Sequence, residues 1–234
     1  MTTACNIARN DAYDQNIVID LEFTPVPNEA GPGCLHYEII QIGAVRVSPD
    51  GRMLDQFCCF VRPQWAPFVS WKVQRITGIR DSALQDAPSF AQALVLLREW
   101  IGEGRTRMVA WSGTDKAQIL AECAAKGLRM PGNMDRWMDL QRVFPRAVGM
   151  RKKRTCMALH DALAWFDMEP QKGCEHQALL DAEHTAQLLI SLFKGEHLEH
   201  AKAMRSAMGE GKKRSGYNVM AGALAGLLAQ MQGA

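Results

Sequence analysis

The chain is 234 residues long, 47% hydrophobic and 22% charged, with 27 basic side chains against 25 acidic ones and a net charge of +2. That length holds one sizeable domain with an appendage or two small ones, and the near-balanced charge excludes a protein that attracts polyanions through composition alone. A nucleic acid would have to be held by a local patch or by metal ions.

In chain order, residues 1–15 form a lead-in without the apolar run of a secretory signal. Three strand-like runs follow: "NIVIDLEFT" at 16–24, "YEIIQIGAVRVS" at 37–48 and "MLDQFCCFVRP" at 53–63. Asp50-Gly51 marks a hairpin between the last two, and the Pro- and Gly-rich segment 25–36 reads as an exposed connection. Helical spacing then takes over. "SWKVQRITGI" predicts a short helix ending near Gly78, and "SFAQALVLLREWIGEG" a stronger one that starts behind Pro88 and stops at Gly102 or Gly104. "RMVAWSG" reads as a buried strand, and "TDKAQILAECAAKGL" as a helix terminated by Gly127. "DRWMDLQRVF" is ambiguous between strand, turn and helix. "TCMALHDALAWF" at 155–166 and "HQALLDAEHTAQLLISLF" at 176–193 read as two closing helices. Strands first, then alternating helix and strand, predict an α/β domain over 16–195 with a mixed sheet carrying helices on its faces. Residues 196–234 read as a linker and a small-residue tail.

Seven cysteines (5, 34, 58, 59, 123, 156 and 174) form no CxxC pair, which predicts free thiols in a reducing cytosol. The most apolar late segment, "VMAGALAGLLA", is far shorter than the roughly 20 residues of a membrane span. Gly222 and Gly226 within it therefore predict a small docking helix or disorder, and the expectation is a cytoplasmic protein with no membrane contact.

The functional signal is a set of acids. Strand side chains alternate, so Asp20 and Glu22 share a face while Ile17, Ile19, Leu21 and Phe23 point into a core. Alone, such a pair reads as an exposed strand end. Burying two carboxylates together costs hydration and sets like charges against each other, so a bound cation is the simplest reason for them. Asp115 follows the later strand at the start of a helix, where it also suits the macrodipole. Asp181 lies on the last helix. His176 is five residues earlier, a rotation of about 140° if helical, so it belongs on the approach to that helix, where it suits a proton acceptor. His184 is a helical neighbour of Asp181 and ranks second, because a lone helical histidine is more often structural.

Asp20-x-Glu22 on a first strand, Asp115 after a later one and His176-x-x-x-x-Asp181 in the last helix resemble the DEDDh family of 3′–5′ exonucleases over residues 16–194. "EIIQIGAVRV", "FVRP", "ITGI" and "HQALLDAEHTAQLL" are similar to that family's connecting blocks, and the ERI-type and KapD-like branch is the nearest in pattern. The resemblance implies an RNase H-like fold, a mixed five-stranded sheet with helices on both faces. It implies a two-metal mechanism with two Mg²⁺ or Mn²⁺ ions roughly 4 Å apart, which activate water and hold the leaving oxygen. Hard cations take oxygen ligands, in keeping with Asp20, Glu22, Asp115 and Asp181 as metal ligands. His176 is the implied general base, and the implied product is a nucleoside 5′-monophosphate from a 3′ end.

For the substrate, a single-stranded RNA or DNA, Phe23, Thr24, His36 and Trp111 are candidate contacts; alternation favours Phe23 as core, and Trp111 reads equally as core. The basic run at 151–155 reads as a solvated face or a phosphate rail. Lys212, Lys213 and Arg214 form a second patch. Three rival roles share the fold: a nucleic-acid-binding scaffold that no longer cleaves, a polymerase-associated proofreading subunit whose C-terminal tail captures a protein partner, and a phosphodiesterase for very short oligonucleotides.

Overall fold

The computed structural model of the protein describes residues 13–28, 31–32, 35–149, 157–168, 177–196, 199–201 and 203. The elements in order are β1 (Gln15–Pro25), β2 (Tyr37–Val47), β3 (Met53–Phe60), α1 (Trp71–Thr77), α2 (Asp81–Leu84), α3 (Phe90–Ile101), β4 (Thr106–Ala110), α4 (Gly113–Ala125), β5 (Trp137–Asp139), α5 (Leu140–Ala147), α6 (Leu159–Ala164) and α7 (Ala178–Lys194). One mixed sheet runs in the order β3-β2-β1-β4-β5. β1, β2 and β3 pair antiparallel, while β4 and β5 join β1 in parallel.

Alternation along β1 divides the core. Ile17, Ile19 and Leu21 pack with Ile39, Ile42 and Ala44 of β2 against α3 and α4. Val18 faces the other way and packs with Val45, Val47 and Val109 against α5, α6 and α7. Helices therefore cover both faces. Local signals account for their ends. Ser89 and Gln92 form a capping box at the start of α3, which stops at Gly102, and α1 ends at Gly78 with φ 74°.

Several expectations change. The ambiguous segment resolves into β5 followed by α5, with the Asp139 carboxylate accepting from Arg142 N–H at 3.1 Å. The helix expected over 155–166 is shorter: Ala158 is extended, and Met168 N–H turns back to Leu163 C=O with Asp167 at φ 55°. α2 adds a short helix that the sequence pattern does not announce; its Asp81 accepts from Val69 N–H at 2.6 Å. The connection expected to be exposed buries the apolar side chains of Val26 and Leu35, and its two ends are tied by Val26 N–H donating to His36 C=O at 2.9 Å. Among the described residues no helix is long and apolar enough to cross a membrane, and Cys58, Cys59 and Cys123 carry free thiols. The basic run at 151–155 and the tail patch lie outside the described residues.

Candidate active site

The parallel strands β1, β4 and β5 end on one side of the sheet, and each brings an acid there. Asp20 and Glu22 continue the face that Val18 opens, Asp115 sits in the first turn after β4, and Asp139 is the last residue of β5. Pairing between β1 and β4 extends to Val18 and Val109. Beyond it, the Leu21 backbone N–H acts on the Asp115 carboxyl and favours its charged form. Ser112 caps α4 by accepting from Thr114 N–H at 3.2 Å, which fixes the turn that presents Asp115.

Asp181 arrives from the opposite direction. Gly43 stands directly across from Asp20 in the β1–β2 ladder, and Gln41 across from Glu22. A Cβ on Gly43 would collide with the backbone of Ala178 and Leu179. The bare strand admits the first turn of α7 onto the sheet, and Gln41 Oε1 accepts from Ala178 N–H at 3.1 Å. α7 has no cap from its own Gln177, so β2 supplies a partner for that first-turn donor. Neither Gly43 nor Gln41 was singled out from the sequence; the available signal was a glycine inside an apolar strand pattern.

The result is a cleft of about 280 Å³ lined by Asp20, Leu21, Glu22, Phe23, Trp111, Ser112, Thr114, Asp115 and Asp181. Carboxylate oxygens of Asp20, Glu22 and Asp181 lie within 4.8 Å of one another. Asp115 lines the same cleft outside that group of three. His176 lies outside the described residues. His184 is buried behind Asp181, Nδ1 to Oδ1 3.8 Å, and does not line the cleft.

The four substrate candidates separate. Phe23 and Trp111 line the cleft and also serve the core: Phe23 packs edge-on against Tyr37 with centroids 5.6 Å apart, and Trp111 Nε1 donates to Met157 C=O at 3.2 Å. Thr24 is fully buried, its hydroxyl accepting from Ser70 N–H at 3.1 Å. His36 is exposed, with its carbonyl accepting from Val26 N–H, and neither residue lines the cleft.

Electrostatics set this cleft apart. Burial, reinforced by the charges of Asp115, Asp181 and Glu22, holds the Asp20 carboxyl well above the usual carboxylate range. Burial and the neighbouring Asp181 and Asp115 push Glu22 up to about 8. Asp115 rises to about 7, because burial outweighs the hydrogen bonds from its own N–H and that of Leu21, with Asp139 and Asp181 adding repulsion. No lysine or arginine lines the cleft to relieve the crowding. An all-carboxylate oxygen set of this kind fits a hard divalent cation. A larger cavity of about 550 Å³ opens between α3 and residues 128–133, but its one carboxylate, Glu103, lies among Arg98 and Arg129 and offers no comparable cluster.

Known proteins resemble this chain in sequence and in fold. The family model described as Exonuclease (RNase_T) matches residues 17–189. The 3′–5′ exonuclease Snipper of Drosophila melanogaster is 25% identical over 202 residues, covering 78% of this chain and 70% of that protein. ERI1 exoribonuclease 2 of Danio rerio is 27% identical over 194 residues, and the alignment takes in 74% of this chain but 34% of the relative. Among solved structures, the nuclease domain of 3′hExo, a DEDDh family member bound to rAMP, superposes with a TM-score of 0.66 at 22% identity, covering 78% of this chain and 93% of that domain. That likeness is one of fold, which is RNase H-like. With a match running from β1 to the later turns of α7, the chain belongs to the exonuclease (RNase_T) family and is an enzyme of that class.

Proposed function

We propose that the protein is a divalent-metal-dependent 3′–5′ exonuclease that releases nucleoside 5′-monophosphates from single-stranded RNA or DNA. The observation that carries this reading is the convergence of the Asp20, Glu22 and Asp181 oxygens within 4.8 Å, in a cleft whose lining includes no cationic side chain.

Asp20, Glu22 and Asp181, with Asp115 beside them, would hold the ions. When bound, Mg²⁺ or Mn²⁺ lowers the pKa of a water molecule and neutralises charge on the leaving oxygen. The chain contributes the rest. Phe23 and Trp111 give the terminal nucleotide apolar walls, and the Ser112–Thr114 turn keeps Asp115 aimed inward. His176, assigned from the sequence motif, takes the proton of the attacking water; a histidine titrates near neutrality and suits that task.

Incubating a 5′-labelled single strand with Mg²⁺ or Mn²⁺ tests the reading. A ladder shortening from the 3′ end is expected, and it should vanish with EDTA and in Asp20→Ala. A ladder persisting in either control overturns the metal mechanism. Matched RNA and DNA strands in the same assay assign the preferred sugar.

A further inference from the structure

Next to the cleft lies an aromatic and cationic surface that the catalytic site does not use. Among the described residues the most exposed large apolar side chains are Trp71 at 72% and Phe68 at 60%. They flank Ser70, whose N–H is held by the Thr24 hydroxyl. Thr24 is two residues beyond Glu22, and strand alternation sets it on the face that carries Asp20 and Glu22. At about 3.3 Å per residue, this anchor stands roughly 7 Å past Glu22. The two rings therefore begin where the cleft's carboxylates end.

This surface is held rigidly. Val69 N–H donates to Asp81, Gln74 Nε2 donates to Val69 C=O at 2.8 Å, and Val69 packs with Ile40, Ile79 and Leu84. The Arg75 guanidinium lies 5.8 Å from the Trp71 ring centroid. From residue 65 to residue 80 the sequence contains no Asp or Glu, but it carries Lys72, Arg75 and Arg80, all exposed. Open ring faces interleaved with cations are the chemistry that binds single-stranded nucleic acid, through base stacking and phosphate contacts. An apolar protein partner would not call for a segment with this one-sided charge.

We propose that Phe68 and Trp71, with Lys72 and Arg75, form a stacking platform for the nucleotides upstream of the one being removed. The proposal rests on the exonuclease reading and adds a length-sensing subsite to it. The platform makes KM fall with strand length, because a dinucleotide offers the two rings a single upstream base at most, whereas a longer strand offers one for each ring and phosphates for Lys72 and Arg75.

The test compares KM for a dinucleotide and for a single strand of about twelve nucleotides, in the full chain with Mg²⁺ or Mn²⁺. Wild type is expected to favour the longer strand by about tenfold or more. In Trp71→Ala and Phe68→Ala that ratio should collapse toward one, while Trp71→Phe retains it. Wild-type cleavage of both strands, with a ratio already near one or unchanged in both alanine variants, overturns the platform and leaves the exonuclease reading standing. Cleavage of neither strand overturns the exonuclease reading and the platform with it.

Discussion

Gly43 of β2 lies against the backbone of Leu179 in the first turn of α7, where no side chain fits between strand and helix. The same glycine is the cross-strand partner of Asp20. This contact brings Asp181 from a distant part of the chain to within 4.8 Å of Asp20 and Glu22. A small residue on a neighbouring strand thus sets how closely Asp181 approaches the two acids of β1.

Gly43→Ala is expected to lift the first turn of α7 from the sheet. Overpacking of this kind costs about 1–3 kcal/mol of stability, and a shift of about 1 Å at Asp181 lowers the rate about a hundredfold. A thermal melt and a nuclease assay on the same preparation check both. Wild-type activity in this variant would show that α7 is not positioned by the contact.

Asp20→Asn should separate stability from activity. Asp20 must either take up a proton on folding or add its charge to a crowded, mutually repelling set, so the neutral amide is expected to raise the thermal midpoint of the EDTA-treated protein, a gain in stability on the order of 1 kcal/mol. The rate should fall about a thousandfold or more, since one of the proposed metal ligands is lost. A lower midpoint in EDTA would contradict the repulsion that raises the Asp20 carboxyl.

The same repulsion fixes a pH dependence. Glu22, raised to about 8, and Asp115, raised to about 7, keep their protons in the folded protein at pH values where the unfolded chain has released them. The native state then binds more protons, so stability falls as pH rises. The loss begins near the ordinary carboxyl values of about 4 and is complete as pH passes about 8. Melting in EDTA across that range should show a declining midpoint. Mg²⁺ or Mn²⁺ should flatten the decline, because a cation that binds only the folded, ionised cluster stabilises it by mass action. A midpoint in EDTA that climbs with pH would refute this.

A second charged cluster stabilises the scaffold. Lys126 Nζ lies 2.9 Å from Glu38 and 2.6 Å from Glu122, both fully buried. Burial alone would raise the Glu38 carboxyl, but N–H groups of Gln64, Ala66 and Trp65 and the Lys126 ammonium hold it low. Burial keeps Glu122 above its usual value even with Lys126 beside it and an Ile39 N–H bond at 2.8 Å. One cation thus serves two acids, joining α4, β2 and the loop after β3. Lys126→Met strands both and is expected to cost about 3–5 kcal/mol in urea unfolding. Adding Glu122→Gln should recover part of that loss, and a second substitution that only adds to the first would show the three groups to be uncoupled.

From the sequence alone, the shared face of Asp20 and Glu22 and most of the elements could be read, α2 and the β5–α5 segment excepted, because alternation along a strand and spacing along a helix are local properties. Asp20 and Glu22 share a face for that reason, with Ile17, Ile19 and Leu21 on the other. Tertiary structure decided how closely the acids meet and which neighbours reach the cleft. Pairing of β1 with β4 extends to Val18, and beyond it the Leu21 N–H acts on Asp115; Gly43 leaves room for α7; Thr24 is drawn to Ser70 while Phe23 and Trp111 remain at the cleft. Such outcomes depend on which backbone groups and side chains meet and which strand lacks a side chain. Those are relations between segments distant in the chain, and local sequence patterns do not carry them.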